Sequence, residues 1–183
     1  MQFKLTSTKL SAIVALFLVL FDNISFFKHV TEIYEVSMSN LGFLVSLGLI
    51  LTAVIMVLVT LLSSRYTLKP LLIAFVLIAS VTNYFMNTYN VILDDTMIQN
   101  AIETNVNESL DLINLKLLGY LFFLGIIPSL IIYRVPVSYG SFKEEIWAKI
   151  KSIAIALIII LVMLFAFNRF YTSFFRENKP LRY

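Results

Sequence analysis

The sequence predicts an all-α integral membrane fold: five transmembrane helices, with an amphipathic helix lying on the outer face between the third and fourth. Three observations carry this. The 183 residues are 60% hydrophobic and only 14% charged, with a mean hydropathy of +0.90, leaving too little polar surface for a soluble domain of this size. The apolar residues come in long uncharged blocks, not in scattered amphipathic patterns. The basic residues gather on one set of loops. A formal charge of +3 with no dense basic cluster does not suggest nucleic-acid binding. The absence of cysteine excludes disulfides and thiolate metal sites. A single histidine, His29, excludes a local multi-histidine cluster.

The first span is expected at about 10–27. Lys4 and Lys9 precede an apolar run from Leu10 to Phe21, but no small-x-small cleavage pattern follows, so the run reads as a retained helix and not a signal peptide. Asp22 falls inside it, the only acidic residue within a span. It stands either near the far interface in water or on the polar wall of a substrate groove. Val36 to Ser64 carries no charge, and its core, 41–62, is about 33 Å long as a helix, enough to cross the hydrocarbon. Arg65 and Lys69 flank a turn, and Pro70 suits the first turn of a third span at 71–90. Ser80, Asn83, Asn87 and Asn90 form a polar stripe along that span, facing other helices or a water-filled cleft and not acyl chains. Tyr84 and Tyr89 are expected near the outer interface, where aromatic belts lie.

A fourth span at 117–133 contains Pro128, with Gly125 nearby, and is expected to kink. Val135 to Gly140 reads as a loop. Lys143 to Lys151 forms a charged helical approach to a fifth span at 153–168, with Trp147 as an interface anchor. The five spans define a domain over 1–170, and 171–183 begins a connecting segment. Lys4, Lys9, Arg65, Lys69, Arg134, Lys143, Lys149 and Lys151 collect on one side, against Lys28 and Lys116 in the short loops of the other. The positive-inside rule makes the first side cytoplasmic and sends the C-terminal tail outward.

The segment between the third and fourth spans contains Asp94, Asp95, Glu103, Glu108 and Asp111 and no cation from Val91 to Asp111. Asp94 or Asp95 can cap a helix at about 96–110. Met97, Ile98, Ala101 and Ile102 would form its apolar face. Asn100, Thr104 and Glu108, one per turn, would share a polar ridge. A ridge of amide, hydroxyl and carboxylate suits a small cationic headgroup such as an ammonium. A solvated surface helix with no ligand fits the same spacing.

The stretch Thr96-Met97-Ile98-Gln99-Asn100-Ala101-Ile102-Glu103-Thr104-Asn105, followed by Glu108-Ser109, resembles the periplasmic helix of the phosphoethanolamine–lipid A transferases, which include the mobile colistin-resistance enzymes. Asn23 with Phe26 and Phe27, Arg65 to Pro70, Tyr89 to Asp94, and the tail Phe174-Phe175-Arg176-Glu177-Asn178-Lys179 agree with it. The resemblance implies a Gram-negative inner-membrane enzyme with its N-terminus cytoplasmic and its C-terminus periplasmic. In it a five-helix membrane domain precedes a zinc-dependent periplasmic catalytic domain. A threonine there takes phosphoethanolamine from phosphatidylethanolamine and passes it to lipid A, which confers polymyxin resistance. By matching position, Asn100, Thr104 and Glu108 contribute to the phosphoethanolamine site. No threonine amid histidine and aspartate zinc ligands occurs up to Tyr183, so this chain is expected to bind no zinc, to carry no catalytic residue and to be inactive alone. The other reading is a self-contained small membrane scaffold, or a transporter subunit using Asp22 and the asparagine stripe.

Overall fold

The computed structural model describes residues 4–89 and 114–177. It is an all-α bundle of α1 (Ser7–Phe21), α2 (Ile24–Ile33), α3 (Met38–Leu62), α4 (Leu68–Tyr89), α5 (Leu115–Arg134), α6 (Phe142–Ala166) and α7 (Asn168–Glu177). Four helices, α3 to α6, are long and apolar enough to cross a membrane; α1 and α2, bent by 54° at their junction, make a fifth span if taken together. The expected helix at 96–110, with Asn100, Thr104 and Glu108, lies outside the described residues, as does Asn90.

Helix α1 is the innermost strut, packed between α3 and α4. Its Leu10, Val14 and Leu18 recur every four residues and so share one face. They form one core with Leu68, Leu72 and Val76, spaced the same way on α4, together with Val59 of α3 and Ile132 of α5. In lipid such a seam is held by close van der Waals contact more than by expulsion of water. On the other side of α1, α3 and α6 run against each other over much of their length.

The expected distortion of the fourth span takes the form of a π-helical stretch, Leu121–Ile126, just before Pro128. Proline has no N–H to return to the preceding turn. The wider turn absorbs the mismatch, and the Ile127 N–H bonds the carbonyl of Phe122, five residues back. Gly125 sits on this stretch against α4. A Cβ there would stand 2.7 Å from the Ser80 Oγ and 3.2 Å from Leu77, so the small residue lets the two helices approach.

The basic end is clasped by short-range contacts that the sequence did not announce. Leu5–Thr6 (β1) pairs in parallel with Val137–Ser138 (β2), tying the N-terminus to the α5–α6 loop. Lys69 Nζ donates to the Tyr133 carbonyl at 2.8 Å, and Lys149 Nζ donates to the Ser63 carbonyl. Ser141 and Glu144 form a reciprocal capping box that starts α6. The charged approach and the fifth span are therefore one continuous helix.

At the far end, α2 folds over the start of α3, and α7 docks beside both. Phe43 is fully buried there, its ring 5.0 Å from Tyr34, 5.1 Å from Phe170 and 5.2 Å from Tyr171 between centroids. The Tyr171 hydroxyl lies 2.7 Å from the Ser46 Oγ. The first span therefore departs from expectation. The helix does not run unbroken through 10–27; it stops at Phe21, and Ile24 starts a new direction. The segment from 168 onward, expected as the end of the span and the start of a connector, opens with a docked helix.

Two consequences can be measured by thermal unfolding in detergent. Gly125→Ala is expected to destabilise the bundle by about 1–3 kcal/mol through overpacking, and adding Ser80→Ala, which removes the clashing hydroxyl, restores most of the loss. Phe43→Ala is expected to cost about 3 kcal/mol and to expose the α6–α7 junction to protease.

Candidate functional site: the polar seam at the far end

Where α1 ends, the backbone must solve a problem that lipid makes severe: the carbonyls of the last turn have no helical partner and no bulk water. Two asparagines supply donors. Asn23 Nδ2 donates to the Leu18 carbonyl at 2.9 Å, and Asn83 Nδ2, reaching across from α4, donates to the Phe21 carbonyl at 3.0 Å. Asn83 is 1% exposed. Its own oxygens are occupied in turn, since Asn87 Nδ2 donates both to the Asn83 carbonyl, at 2.9 Å, and to its side-chain oxygen. Ser80, one turn earlier, donates to the Leu77 carbonyl at 2.8 Å. The three described members of the polar stripe thus satisfy backbone: Ser80 faces α5 at Gly125, Asn83 joins α4 to α1, and Asn87 bonds back to Asn83.

Asp22 lies beside this network and is 5% exposed, so it does not face water. Neither carboxylate oxygen makes a hydrogen bond of good geometry among the described residues, although the Asn83 side chain lies close enough to interact with it. Tyr84, expected in an interfacial belt, is instead completely buried, packed edge-on against Tyr120 of α5 at 5.7 Å between centroids. Its hydroxyl accepts a bond from Asn114 Nδ2, while the Asn114 Oδ1 caps α5 by accepting from the Leu117 N–H at 2.9 Å. Tyr89 is 45% exposed at the end of α4. Asn114 is not singled out in the sequence, and Tyr84 reads there only as a belt residue. The only available signal was an asparagine just before an apolar run, the pattern of an N-cap.

The geometry fixes the two points from which residues 90–113 depart and return. One is the end of α4, the other the Asn114 cap bonded to Tyr84, and both belong to the seam that anchors the α1–α2 bend. Asn100, Thr104 and Glu108 belong to that connecting segment and lie outside the described residues. Among the described residues no group of three or more His, Cys, Asp or Glu side chains could hold a metal ion. Asn83→Leu is expected to lower stability by about 1–2 kcal/mol in thermal unfolding, because it strips the Phe21 carbonyl of its donor. Asp22→Asn is expected to leave stability unchanged or raise it, since an amide of the same shape removes a buried acid while it can still meet the Asn83 side chain.

The comparisons with known proteins agree with this architecture. The family model for phosphoethanolamine transferase EptA/EptB matches residues 51–183. The chain is 37% identical over 174 residues to phosphatidylethanolamine transferase Mcr-2 of Escherichia coli, a match covering 95% of this chain and 32% of that protein. It is 30% identical over 161 residues to phosphoethanolamine transferase EptA of Escherichia coli strain K12, covering 87% of this chain and 29% of that one. The integral membrane protein lipooligosaccharide phosphoethanolamine transferase A (EptA) from Neisseria meningitidis shares its fold, with a TM-score of 0.90 at 24% identity over 98% of this chain and 34% of that structure. The chain spans about a third of the length of the curated relatives it matches. The bundle, its membrane-crossing helices and the family match agree: this chain belongs to the phosphoethanolamine transferase EptA/EptB family.

Proposed function

We propose that the chain is the membrane anchor and lipid-substrate-binding part of a transferase that moves phosphoethanolamine from phosphatidylethanolamine to lipid A. It sits in the Gram-negative inner membrane with its N-terminus cytoplasmic and its C-terminus periplasmic. The basic clasp then lies on the cytoplasmic side, as the positive-inside rule requires, and the polar seam lies on the periplasmic side. Catalysis, with zinc and a threonine nucleophile, belongs in this reading to a further domain that the relatives' greater length accommodates. The chain's own residues anchor, orient and hold lipid.

The observation that carries this reading is the tie between Asn114 and Tyr84, next to the Asn83 bridge. It roots both ends of the segment bearing Asn100, Thr104 and Glu108 on one rigid end of the bundle. A helix at 96–110 rooted there would meet a phospholipid headgroup in the outer half of the membrane, with the Glu108 carboxylate for the ammonium and the Asn100 and Thr104 side chains for hydrogen bonds. In the intact protein, Glu108→Ala is expected to reduce lipid A modification by about tenfold or more, with membrane abundance unchanged. Modification at the parental level would refute the role assigned to Glu108.

A further inference from the structure

The basic end carries a second site, remote from the polar seam. A cavity of about 410 Å³ opens between the α3–α4 turn and the start of α6. Arg65 and Lys149 line it together with Tyr66, Phe142 and Ile146. Tyr66 and Phe142 are 86% and 81% exposed, an aromatic pair at the level where such rings meet lipid headgroups. The Arg65 guanidinium lies 5.5 Å from the centre of the Tyr139 ring. Burial, with the Glu145 charge adding to it and Arg65 opposing, raises the Tyr139 phenol above its ordinary range. The phenol therefore stays neutral near pH 7, and the guanidinium is steered by a π face without losing its charge.

The charge balance selects the ligand. Among the described residues neither Arg65 nor Lys149 is paired with a carboxylate. The acid in the cavity wall, Glu145, is already engaged: one oxygen accepts from Ser7 Oγ at 3.2 Å and the other from the Gly140 N–H at 3.1 Å. Arg65 is therefore available for an anion, and Lys149, with one N–H on the Ser63 carbonyl, keeps two more for it. With Glu145 the only acid in the cavity wall, the lining carries a net positive charge that favours an anion over an ammonium group.

The shape continues the selection. A groove of about 270 Å³ lies between α1, α3 and α6, with Ala12, Ala53, Met56, Ile155, Ala156 and Ile159 in its walls. A small polar cleft of about 20 Å³ has Lys149 in common with the first space and Thr8 in common with the second. Along α6 the lining residues follow one face, from Lys149 through Ser152 and Ile155 to Ile159. Lys149 to Ile159 rises about 15 Å, half of a hydrocarbon core about 30 Å thick. A cationic mouth above an apolar groove one leaflet deep is complementary to a phospholipid and its tail.

We propose that the chain holds an anionic phospholipid from the leaflet at its basic end, its phosphate on Arg65 and Lys149 and one acyl chain in the α1–α3–α6 groove. Basic pockets between membrane helices take such headgroups. The site is independent of the headgroup recognition proposed for Glu108.

Native mass spectrometry of the purified full chain, with phosphatidylglycerol, phosphatidylethanolamine or phosphatidylcholine added to the detergent, tests it. The parent is expected to retain phosphatidylglycerol in preference to the other two. Arg65→Gln with Lys149→Gln is expected to lower that retention by about tenfold or more, and Ala12→Phe, which fills the groove, to lower it with the cations intact. Arg65→Gln alone, at an exposed position, serves as the variant least able to disturb folding, and helical circular dichroism monitors all of them. Equal retention of the three lipids by the parent, or undiminished phosphatidylglycerol on well-folded Arg65 and Lys149 variants, would overturn the proposal. So would displacement of the lipid by inorganic phosphate with no effect of Ala12→Phe, which marks a free-anion site.

Discussion

The end of α1 is the point around which the far half of this molecule is arranged, and Asn83 of α4 crosses to it with a hydrogen bond to the Phe21 carbonyl. A helix cannot simply stop within a membrane, because each freed carbonyl loses its partner in a solvent that offers none. Here α1 stops at Phe21, and the chain turns by 54° into α2. At the bend Asn83 supplies a donor to the freed Phe21 carbonyl, and Asn23 adds a second to the Leu18 carbonyl that the Asp22 N–H already bonds. Beyond the bend α2 packs on the start of α3, with the aromatic cluster around Phe43 and α7 docked through Tyr171. Asn83 also joins α1 to the last turns of α4, from which the chain departs toward residues 90–113.

The two ends of the bundle are built by different chemistry. At the basic end, lysines, a two-residue strand pairing and a capping box bind loop to loop, with lysine ammoniums spent on carbonyls and not on acids. At the far end, neutral amides and aromatic rings do the joining, and the approach of His29 Nδ1 to the Glu32 carboxylate, at 3.5 Å, is local to α2. Neutral polar groups suit that end: they satisfy backbone deep in the bundle without the desolvation cost of charge. Asp22 is the exception, a carboxylate 5% exposed among amides.

Much of this was legible in the sequence. Uncharged blocks around 41–62, 71–90, 117–133 and 153–168 mark α3 to α6, because lipid admits nothing but apolar helices over such lengths. The stripe of Ser80, Asn83 and Asn87 announced contact with other helices. What stayed hidden depends on contacts between distant residues. The break falls where the apolar run ends at Phe21 and gives way to Asp22 and Asn23, but the donor that meets the freed carbonyl comes from Asn83, 62 positions away. Tyr84 has the composition of a belt residue, yet Asn114 and Tyr120 bury it. The π-helical turn needed Pro128 and Gly125 together with a partner helix close enough to make the shape useful. Family membership was legible from the run Thr96 to Ser109, while the ligand proposed for Asn100, Thr104 and Glu108 rests on resemblance and not on spacing.

The central claim is that the far end, organised by Asn83 and Tyr84, is where the substrate phospholipid is received. The most direct measurement is photocrosslinking of the intact protein in nanodiscs containing a phosphatidylethanolamine that bears a photoreactive group on its headgroup, followed by peptide mapping. Crosslinks concentrated in the peptides spanning 84–114 and 22–34, and reduced in Glu108→Ala, are the expected result. Crosslinks spread evenly over the helices, or concentrated around Arg65 and Lys149 at the opposite end, would contradict it.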